Sequence, residues 1–162
     1  MPAVGEIPAG GPKISVAYVL PNLVVGGTEK HVRDLVERID RGKFAPCVVC
    51  TADGGPLEQD LHALGIPVFI LGYRGFSKNP GVAFPLALGA IGAARCFRRI
   101  LRERNVRIVH AYLPEANTFG MIASAFSRTP VRIVSKRALC RYKDGHPVYS
   151  FFESFANLAA DA

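Results

Sequence analysis

At 162 residues, the chain is long enough for one domain with a sizeable core and too short for two ordinary domains. Its composition, 49% hydrophobic and 20% charged, is that of a globular protein and excludes low-complexity disorder. The net charge of +7 is uneven, because residues 1–80 carry eight basic and eight acidic residues, whereas residues 81–162 carry twelve and five. A basic half indicates an anionic partner (nucleic acid, a phosphorylated ligand or lipid head groups) or a solvated basic surface.

The N-terminal segment, residues 1–12, is predicted to be a flexible tail before a domain that spans residues 13–162. The tail has no cationic start and no apolar core, so it does not resemble a secretory signal. Cys47 and Cys50 lie three residues apart in a strand-like segment, where they point to opposite faces and cannot share a metal ion. We interpret the four cysteines as reduced and mostly buried, and we expect a cytoplasmic protein.

Strand-like and helix-like segments alternate along the chain. Runs rich in Val and Ile predict buried strands at Ile14–Leu20, Ala45–Thr51, Pro67–Leu71, Val106–Tyr112 and Val131–Ser135. Helical patterns occupy Thr28–Asp40, Leu57–Leu64, Phe84–Arg104, Glu115–Ser127 and Pro147–Ala160, and three of them are predicted to stop at Gly42, Gly65 and Asn105. The alternation predicts a single α/β domain with a doubly wound, Rossmann-like parallel sheet.

The longest helical pattern begins with an uncharged run, GVAFPLALGAIGAA, at residues 81–94. This run is shorter than the roughly 20 apolar residues that a membrane span requires. Arginines then recur at helical spacing, at positions 95, 98, 99 and 102. Such a helix either lies on an anionic membrane or packs on the domain with a solvated arginine face, and we favour the second interpretation.

The first predicted strand is followed by PNLVVGGTEKH at residues 21–31. Gly26 and Gly27 would let the backbone approach a phosphate or sugar, and the helix start after them offers free N–H groups. The turn has neither the GxGxxG spacing of a dinucleotide site nor the GKS or GKT of a Walker site. Glu29 either stabilises the helix dipole or acts as a functional acid, and we interpret His31 as a packing residue.

Two further groups follow predicted strands. His110 and Tyr112 share one face at the end of the fourth strand, where open α/β sheets bind ligands, so they form a candidate site. Lys136 and Arg137 follow the fifth strand and suit a phosphate or carboxylate, or else are ordinary surface charges. The sequence contains no catalytic triad pattern and no metal-ligand spacing, and no known motif supports a nucleic-acid partner.

Four segments resemble the N-terminal domain of GT-B glycosyltransferases of the large retaining group called family 4. They are VLPNLVVGGTEKHVRDLVERI (Val19–Ile39), PLEQDLHALGIPVFIL (Pro56–Leu71), VRIVHAYLPEANTFGMIAS (Val106–Ser124) and PVRIVSKRAL (Pro130–Leu139). A Gly-Gly-x-Glu-x-His turn combined with a strand that ends in His-x-Tyr-x-Pro is more specific than either motif alone.

The resemblance implies half of a GT-B enzyme, in which this domain mainly binds the acceptor and a second domain binds the nucleotide-sugar donor. It implies transfer that retains the anomeric configuration, without a metal ion or other cofactor, to a glycan, lipid-linked or phosphorylated acceptor. By resemblance, His110 and Tyr112 would face the sugar or acceptor hydroxyl as catalytic candidates. The residues that would bind the donor diphosphate or acceptor are Gly26, Gly27, Thr28, Glu29, Lys136 and Arg137.

Two departures from the family pattern limit this expectation. Many relatives have a second histidine at Tyr112, and a phenol cannot replace imidazole as a base near neutral pH. The acidic Glu-x7-Glu donor motif belongs to the C-terminal domain and has no counterpart here, so we expect a fragment that is inactive alone. The alternatives are a non-catalytic Rossmann-like subunit that needs a donor-binding partner and, less favoured, a dinucleotide-binding oxidoreductase domain.

Overall fold

The computed structural model describes residues 11–73, 80–125, 127, 129–135 and 160, with the side chains of residues 80–88 left undescribed. Its elements in chain order are β1 (Ile14–Leu20), α1 (Gly27–Arg38), β2 (Phe44–Cys50), α2 (Leu57–Ala63), β3 (Val68–Ile70), α3 (Pro80–Glu103), β4 (Val106–Tyr112), α4 (Pro114–Ala125) and β5 (Val131–Ser135). Five predicted strands and four predicted helices are thereby confirmed. The predicted helix Pro147–Ala160 and the predicted tail lie outside the described residues, apart from Ala160 and residues 11 and 12.

The five strands form one parallel sheet in the order β3-β2-β1-β4-β5. Chain order reverses between β1 and β4, which makes the carboxyl ends of these two strands the switch point of the sheet. Tyr18 of β1 pairs with His110 of β4, and Tyr112 pairs with Ser135 of β5. The predicted doubly wound, Rossmann-like α/β fold is confirmed.

Each face of the sheet packs against its own helices. On one face, Val16, Tyr18 and Leu20 pack with residues of α1 and α2, including Val32 and Leu61. On the other face, the intervening strand residues pack with Phe97, Ile100 and Leu101 of α3 and with Ala116 and Met121 of α4. β1 and β2 are mostly apolar and buried because helices cover both of their faces, whereas β5, at the sheet edge, is only partly buried.

The cysteines follow this division of the sheet. Cys47 is buried on the α3 face and Cys50 on the α1 face, as the strand alternation predicted. Cys96, on α3, is exposed, and all three are free thiols.

The arginine-rich helix α3 packs its apolar residues inward. Phe97, Ile100 and Leu101 are buried, and Arg98 donates a hydrogen bond from Nε to the carbonyl of Ala123 at 3.0 Å. The exposed basic face therefore consists of Arg95, Arg99 and Arg102. Among the described residues, no helix combines the length and apolarity needed to cross a bilayer.

Two of the three predicted helix stops are confirmed. Gly65 and Asn105 follow α2 and α3 and have positive φ angles of 68° and 47°, the left-handed conformation that commonly ends a helix. The prediction for Gly42 is wrong, because α1 already ends at Arg38. Ile39 leaves the helix in an extended conformation and donates its N–H to the carbonyl of Leu35.

Candidate functional site

The loop between β1 and α1 is held against the loop between β2 and α2. The N–H of Leu23 donates to the carbonyl of Gly54 at 3.2 Å, and the N–H of Leu57 donates to the carbonyl of Leu23 at 3.3 Å. A Cβ at Gly55 would overlap the backbone of Leu23, so this close approach requires glycine. The loop between β2 and α2 thus fixes the loop that leads to the glycine pair.

The glycine pair begins α1 at the carboxyl edge of the sheet. Gly26 is extended (φ −140°, ψ 175°), and a Cβ there would overlap the carboxylate of Glu29. Glu29 is buried and supplies negative charge at the positive end of the helix, which supports its predicted dipole role. Gly27 is exposed, and a Cβ there would have no atom within 4 Å, so the open approach to this helix start lies at Gly27.

His110 and Tyr112 stack on each other at the end of β4. Their ring centroids are 4.3 Å apart and their planes differ by 28°. The Tyr112 hydroxyl lies 3.3 Å from Nδ1 of His110, and the Ser135 hydroxyl lies 2.8 Å from Nε2. Tyr112 is only 1% exposed, whereas His110 is partly exposed, so His110 is the member of the pair that a ligand can reach.

Two further aromatic rings connect this pair to β1 and α1. Tyr18 lies 5.8 Å from His110 and 6.5 Å from Tyr112 between ring centroids, and His31 lies 6.1 Å from Tyr112. Burial, with a smaller contribution from Tyr112, raises the pKa of Tyr18 to about 12, so this phenol is neutral at physiological pH. His31 packs as predicted, and it also joins the glycine-started helix to the His110–Tyr112 pair.

Helix α4 starts directly beside this pair because a single residue connects it to β4. That residue, Leu113, has a φ of 70°, a left-handed conformation that costs an ordinary side chain roughly 1–2 kcal/mol. The N–H of Asn117 donates to the carbonyl of Leu113 at 2.8 Å, and Nδ2 of Asn117 donates to the carbonyl of Ser135 at 3.3 Å. The strained turn therefore brings the first turn of α4 against the end of β5.

A cavity of about 490 Å³ lies at the opposite, amino edge of the sheet. It is lined by Lys13, Ser15, Ala45, Phe69, Ile100, Glu103 and Arg104. Open α/β sheets bind ligands at the carboxyl edge, and the guanidinium of Arg104 is already placed over the Phe69 ring at 4.9 Å. We therefore assign the candidate site to the carboxyl edge, where the polar and aromatic groups converge.

Residues 26–162 match the family described as the glycosyl transferase 4-like domain. The chain belongs to this family. Together with the fold, the match confirms the predicted resemblance to the N-terminal domain of a family 4-like GT-B glycosyltransferase. No curated protein matches the sequence significantly.

Solved structures share the fold at low sequence identity. A UDP-N-acetylglucosamine 2-epimerase has a TM-score of 0.61 and 16% identity, over 93% of this chain and 41% of its own. A UDP-GlcNAc 2-epimerase from Neisseria meningitidis, bound to UDP-GlcNAc, has a TM-score of 0.57 and 12% identity, and the match covers 92% of this chain and 39% of the epimerase. A glycosyltransferase from Rickettsia africae has a TM-score of 0.51 and 19% identity, and the match covers 85% of this chain and 34% of the glycosyltransferase. The chain thus spans less than half the length of these structures.

In this glycosyl transferase 4-like domain, most of the predicted site residues share one edge of the sheet. Gly26, Gly27, Thr28 and Glu29 begin α1 beside the end of β1, and His110 and Tyr112 end the adjacent strand β4. The predicted cations Lys136 and Arg137 lie outside the described residues. Within the described part of the chain, no three His, Cys, Asp or Glu residues are grouped so that they could hold a metal ion.

Three residues of the candidate site, Tyr18, Asn117 and Ser135, were not predicted from the sequence, nor was the contact of His31 with Tyr112. Tyr18 was detectable in principle, since it lies two residues before the end of β1 on the same strand face as Leu20. The contacts of Ser135 depend on β5 lying next to β4 in register, which the sequence does not specify. Their roles in ligand binding remain predictions.

Proposed function

We propose that this chain is the acceptor-side domain of a retaining glycosyltransferase. The enzyme would transfer a sugar from a nucleotide-sugar to a glycan, lipid-linked or phosphorylated acceptor, as in polysaccharide or glycolipid synthesis. One observation carries the proposal: α1 follows β1 and His110 ends the neighbouring strand β4, and His31 of α1 lies 6.1 Å from Tyr112, which stacks on His110. The family match supports the choice of glycosyl transfer among the activities that this fold hosts.

In this proposal, the exposed backbone at Gly27 approaches the donor diphosphate or the acceptor from the helix N-terminus. His110 faces the transferred sugar or the acceptor hydroxyl, and the buried Tyr112 acts on the substrate through His110. The carboxylate of Glu29 lies next to Gly26. Because a carboxylate only accepts hydrogen bonds, it would favour a sugar hydroxyl there over a phosphate group. Lys136 and Arg137 are proposed as cations of the cleft, where they would offset the charge of the leaving diphosphate.

The main donor site is proposed to lie in a separate domain, since the similar structures extend well beyond the matched region. The chain alone would then bind the donor weakly and transfer no sugar at a useful rate. Addition of a donor-binding domain with a Glu-x7-Glu motif would restore transfer. If transfer is absent but the two proteins form a stable complex, the alternative of a non-catalytic subunit is favoured instead.

Binding to the isolated chain provides the direct test. We expect UDP-N-acetylglucosamine to bind weakly in calorimetric titrations, and Gly27→Leu to weaken that binding at least tenfold because the new side chain fills the open approach. Arg38→Leu, at the other exposed end of α1, is the matched control and should bind like the wild type. Tight NAD binding with no response to the sugar nucleotide would overturn the proposal in favour of a dinucleotide-binding domain.

Helix α3 supports a second role, peripheral association with an anionic membrane that carries a lipid-linked acceptor. Arg95 and Arg102 are exposed, as is Arg99, which pairs with Glu103 at 2.7 Å, while Phe97, Ile100 and Leu101 are buried in the core. Such association would be electrostatic and salt-sensitive, without insertion of the helix into the bilayer. It is consistent with a cytoplasmic protein at the inner face of a membrane.

A further inference from the structure

Both ring nitrogens of His110 lie against hydroxyl groups. Nε2 is 2.8 Å from Oγ of Ser135, and Nδ1 is 3.3 Å from the hydroxyl of Tyr112. A neutral imidazole has one nitrogen that donates and one that accepts, whereas a hydroxyl can do either. Of these two hydroxyls, the one that donates favours the tautomer whose proton is on the other ring nitrogen.

The chemistry of the two hydroxyls gives the chain of hydrogen bonds a direction. A phenol is more acidic than an aliphatic alcohol and is the better donor, so Tyr112 donates to Nδ1. The proton of the imidazole then resides on Nε2 and is donated to Oγ of Ser135. Tyr112 is 1% exposed and stacked on the imidazole, which holds its hydroxyl in place.

Ser135 is itself fixed by two independent elements. Its backbone pairs with Tyr112 at the end of β5, and its carbonyl accepts a hydrogen bond from Nδ2 of Asn117. Asn117 is 5% exposed and belongs to the first turn of α4. The hydroxyl that meets Nε2 is therefore held by both the sheet and the helix that follows β4.

We propose that Ser135 is a positioning residue which, together with Tyr112, holds His110 as the Nε2–H tautomer with its ring plane fixed at the switch point. Without the Tyr112 hydroxyl, Ser135 could either donate to Nε2 or accept from it, so the imidazole would exchange between tautomers. Without the Ser135 hydroxyl, Tyr112 still donates to Nδ1, but Nε2–H loses its acceptor and the ring loses one of the two contacts that fix its plane. The catalytic consequence rests on the proposed glycosyl transfer, but the tautomer itself does not. Ser135 acts through His110 and does not touch the substrate.

The test is the ¹⁵N chemical shifts of the His110 imidazole in the ¹⁵N-labelled chain. We expect two well-separated signals, with Nε2 protonated, in the wild type and in Ser135→Thr, which retains a hydroxyl. Ser135→Ala should keep the two signals separate but move the Nε2 signal, because Nε2–H loses its acceptor, whereas Val131→Ala, at the other end of β5, should leave both unchanged. Averaged signals in the wild type, or an unchanged Nε2 signal in Ser135→Ala, would overturn the proposal.

Two further measurements keep the inference separable from the proposed function. If Ser135→Ala does not fold, Tyr112→Phe removes the donor to Nδ1 and should move the two His110 signals toward an average, because Ser135 can then donate or accept; no movement would overturn the inference. In the enzyme with its donor-binding domain, Ser135→Ala should lower kcat at least tenfold with little change in KM, and Ser135→Thr should restore most of it. A fixed tautomer in a chain that shows no transfer would reject the proposed function and leave the positioning role intact.

Discussion

The phenol of Tyr112 stacks on the imidazole of His110 at a centroid distance of 4.3 Å, and its hydroxyl lies 3.3 Å from Nδ1 of that ring. The pair is also in contact with Tyr18 of β1 and His31 of α1. By its resemblance to family 4 enzymes, the chain is expected to have Tyr112 where many of them have a second histidine. Because Tyr112 is buried and His110 is partly exposed, Tyr112 packs behind the imidazole.

Truncation of Tyr112 should separate its packing from its hydrogen bond. Tyr112→Phe keeps the stacked ring and should lower the free energy of unfolding by about 1 kcal/mol, the net value of one hydrogen bond. Tyr112→Ala removes a fully buried ring and should cost about 3–5 kcal/mol. Urea denaturation of both variants measures the difference, and equal losses would show that the ring does not pack as described.

Two glycine positions should respond in opposite ways to alanine. Gly55→Ala should lower the free energy of unfolding by roughly 1–3 kcal/mol, because the added Cβ overlaps the backbone of Leu23 and forces the loops apart. Gly27→Ala meets no atom within 4 Å and should leave stability unchanged or slightly raised, since alanine favours the helix. Thermal denaturation compares the two, and a destabilised Gly27→Ala with a tolerated Gly55→Ala would contradict the loop structure.

The buried thiols should make the fold sensitive to alkaline pH. Burial raises the pKa of Cys47 from 9.0 to about 11 and that of Cys50 to about 12, and Glu58 adds to the shift of Cys50. Because the folded state holds these protons more tightly than the unfolded state, the stabilisation is complete below pH 9 and is lost as pH rises toward 11 or 12. The loss should be of the order of a few kcal/mol.

Urea denaturation at pH 7 and pH 10.5 checks this, with Cys47→Ala/Cys50→Ala as the variant that should lose less stability between the two pH values. An equal pH dependence in the variant would assign the effect to other groups, such as Tyr18. In the native protein at pH 7, a maleimide should label exposed Cys96 and spare Cys47 and Cys50, as mass spectrometry of the peptides can determine.

Charge reversal on α3 should abolish any binding to anionic vesicles. The variant is Arg95→Glu/Arg99→Glu/Arg102→Glu, and its three positions are exposed. Arg98 is left unchanged because its guanidinium holds the carbonyl of Ala123. The charge-matched control reverses three exposed basic residues elsewhere, Lys30, Arg38 and Lys43. Cosedimentation at low and physiological salt measures binding, and equal binding of both variants would reject membrane association through α3.

The strands were predictable because each is a short segment rich in Val, Ile and other apolar residues. Ile14–Leu20, Val106–Tyr112 and Val131–Ser135 were predicted with their observed bounds, since polar or turn residues flank them. The start of α4 was placed one residue late, because Leu113 takes a left-handed conformation that glycine or asparagine would have signalled and leucine does not.

The contacts within the site could not be read from the chain. Ser135 meets His110 only because β5 lies beside β4 in one register, and a shift by a single residue would turn Ser135 to the other face. His31 was predicted to be a packing residue, but its packing partner, Tyr112, follows from the position of β4 next to β1. Strand order is a tertiary property that local patterns do not encode.

The proposed function requires that the glycine start of α1 and the end of β4 form one binding site. Titration of the ¹⁵N-labelled chain with UDP-N-acetylglucosamine, followed by NMR, tests this directly. We predict that the amide signals of Gly26, Gly27, His110 and Ser135 shift together with a single dissociation constant. Shifts confined to one of the two segments, or to Lys13 and Arg104 around the cavity at the amino edge, would contradict it.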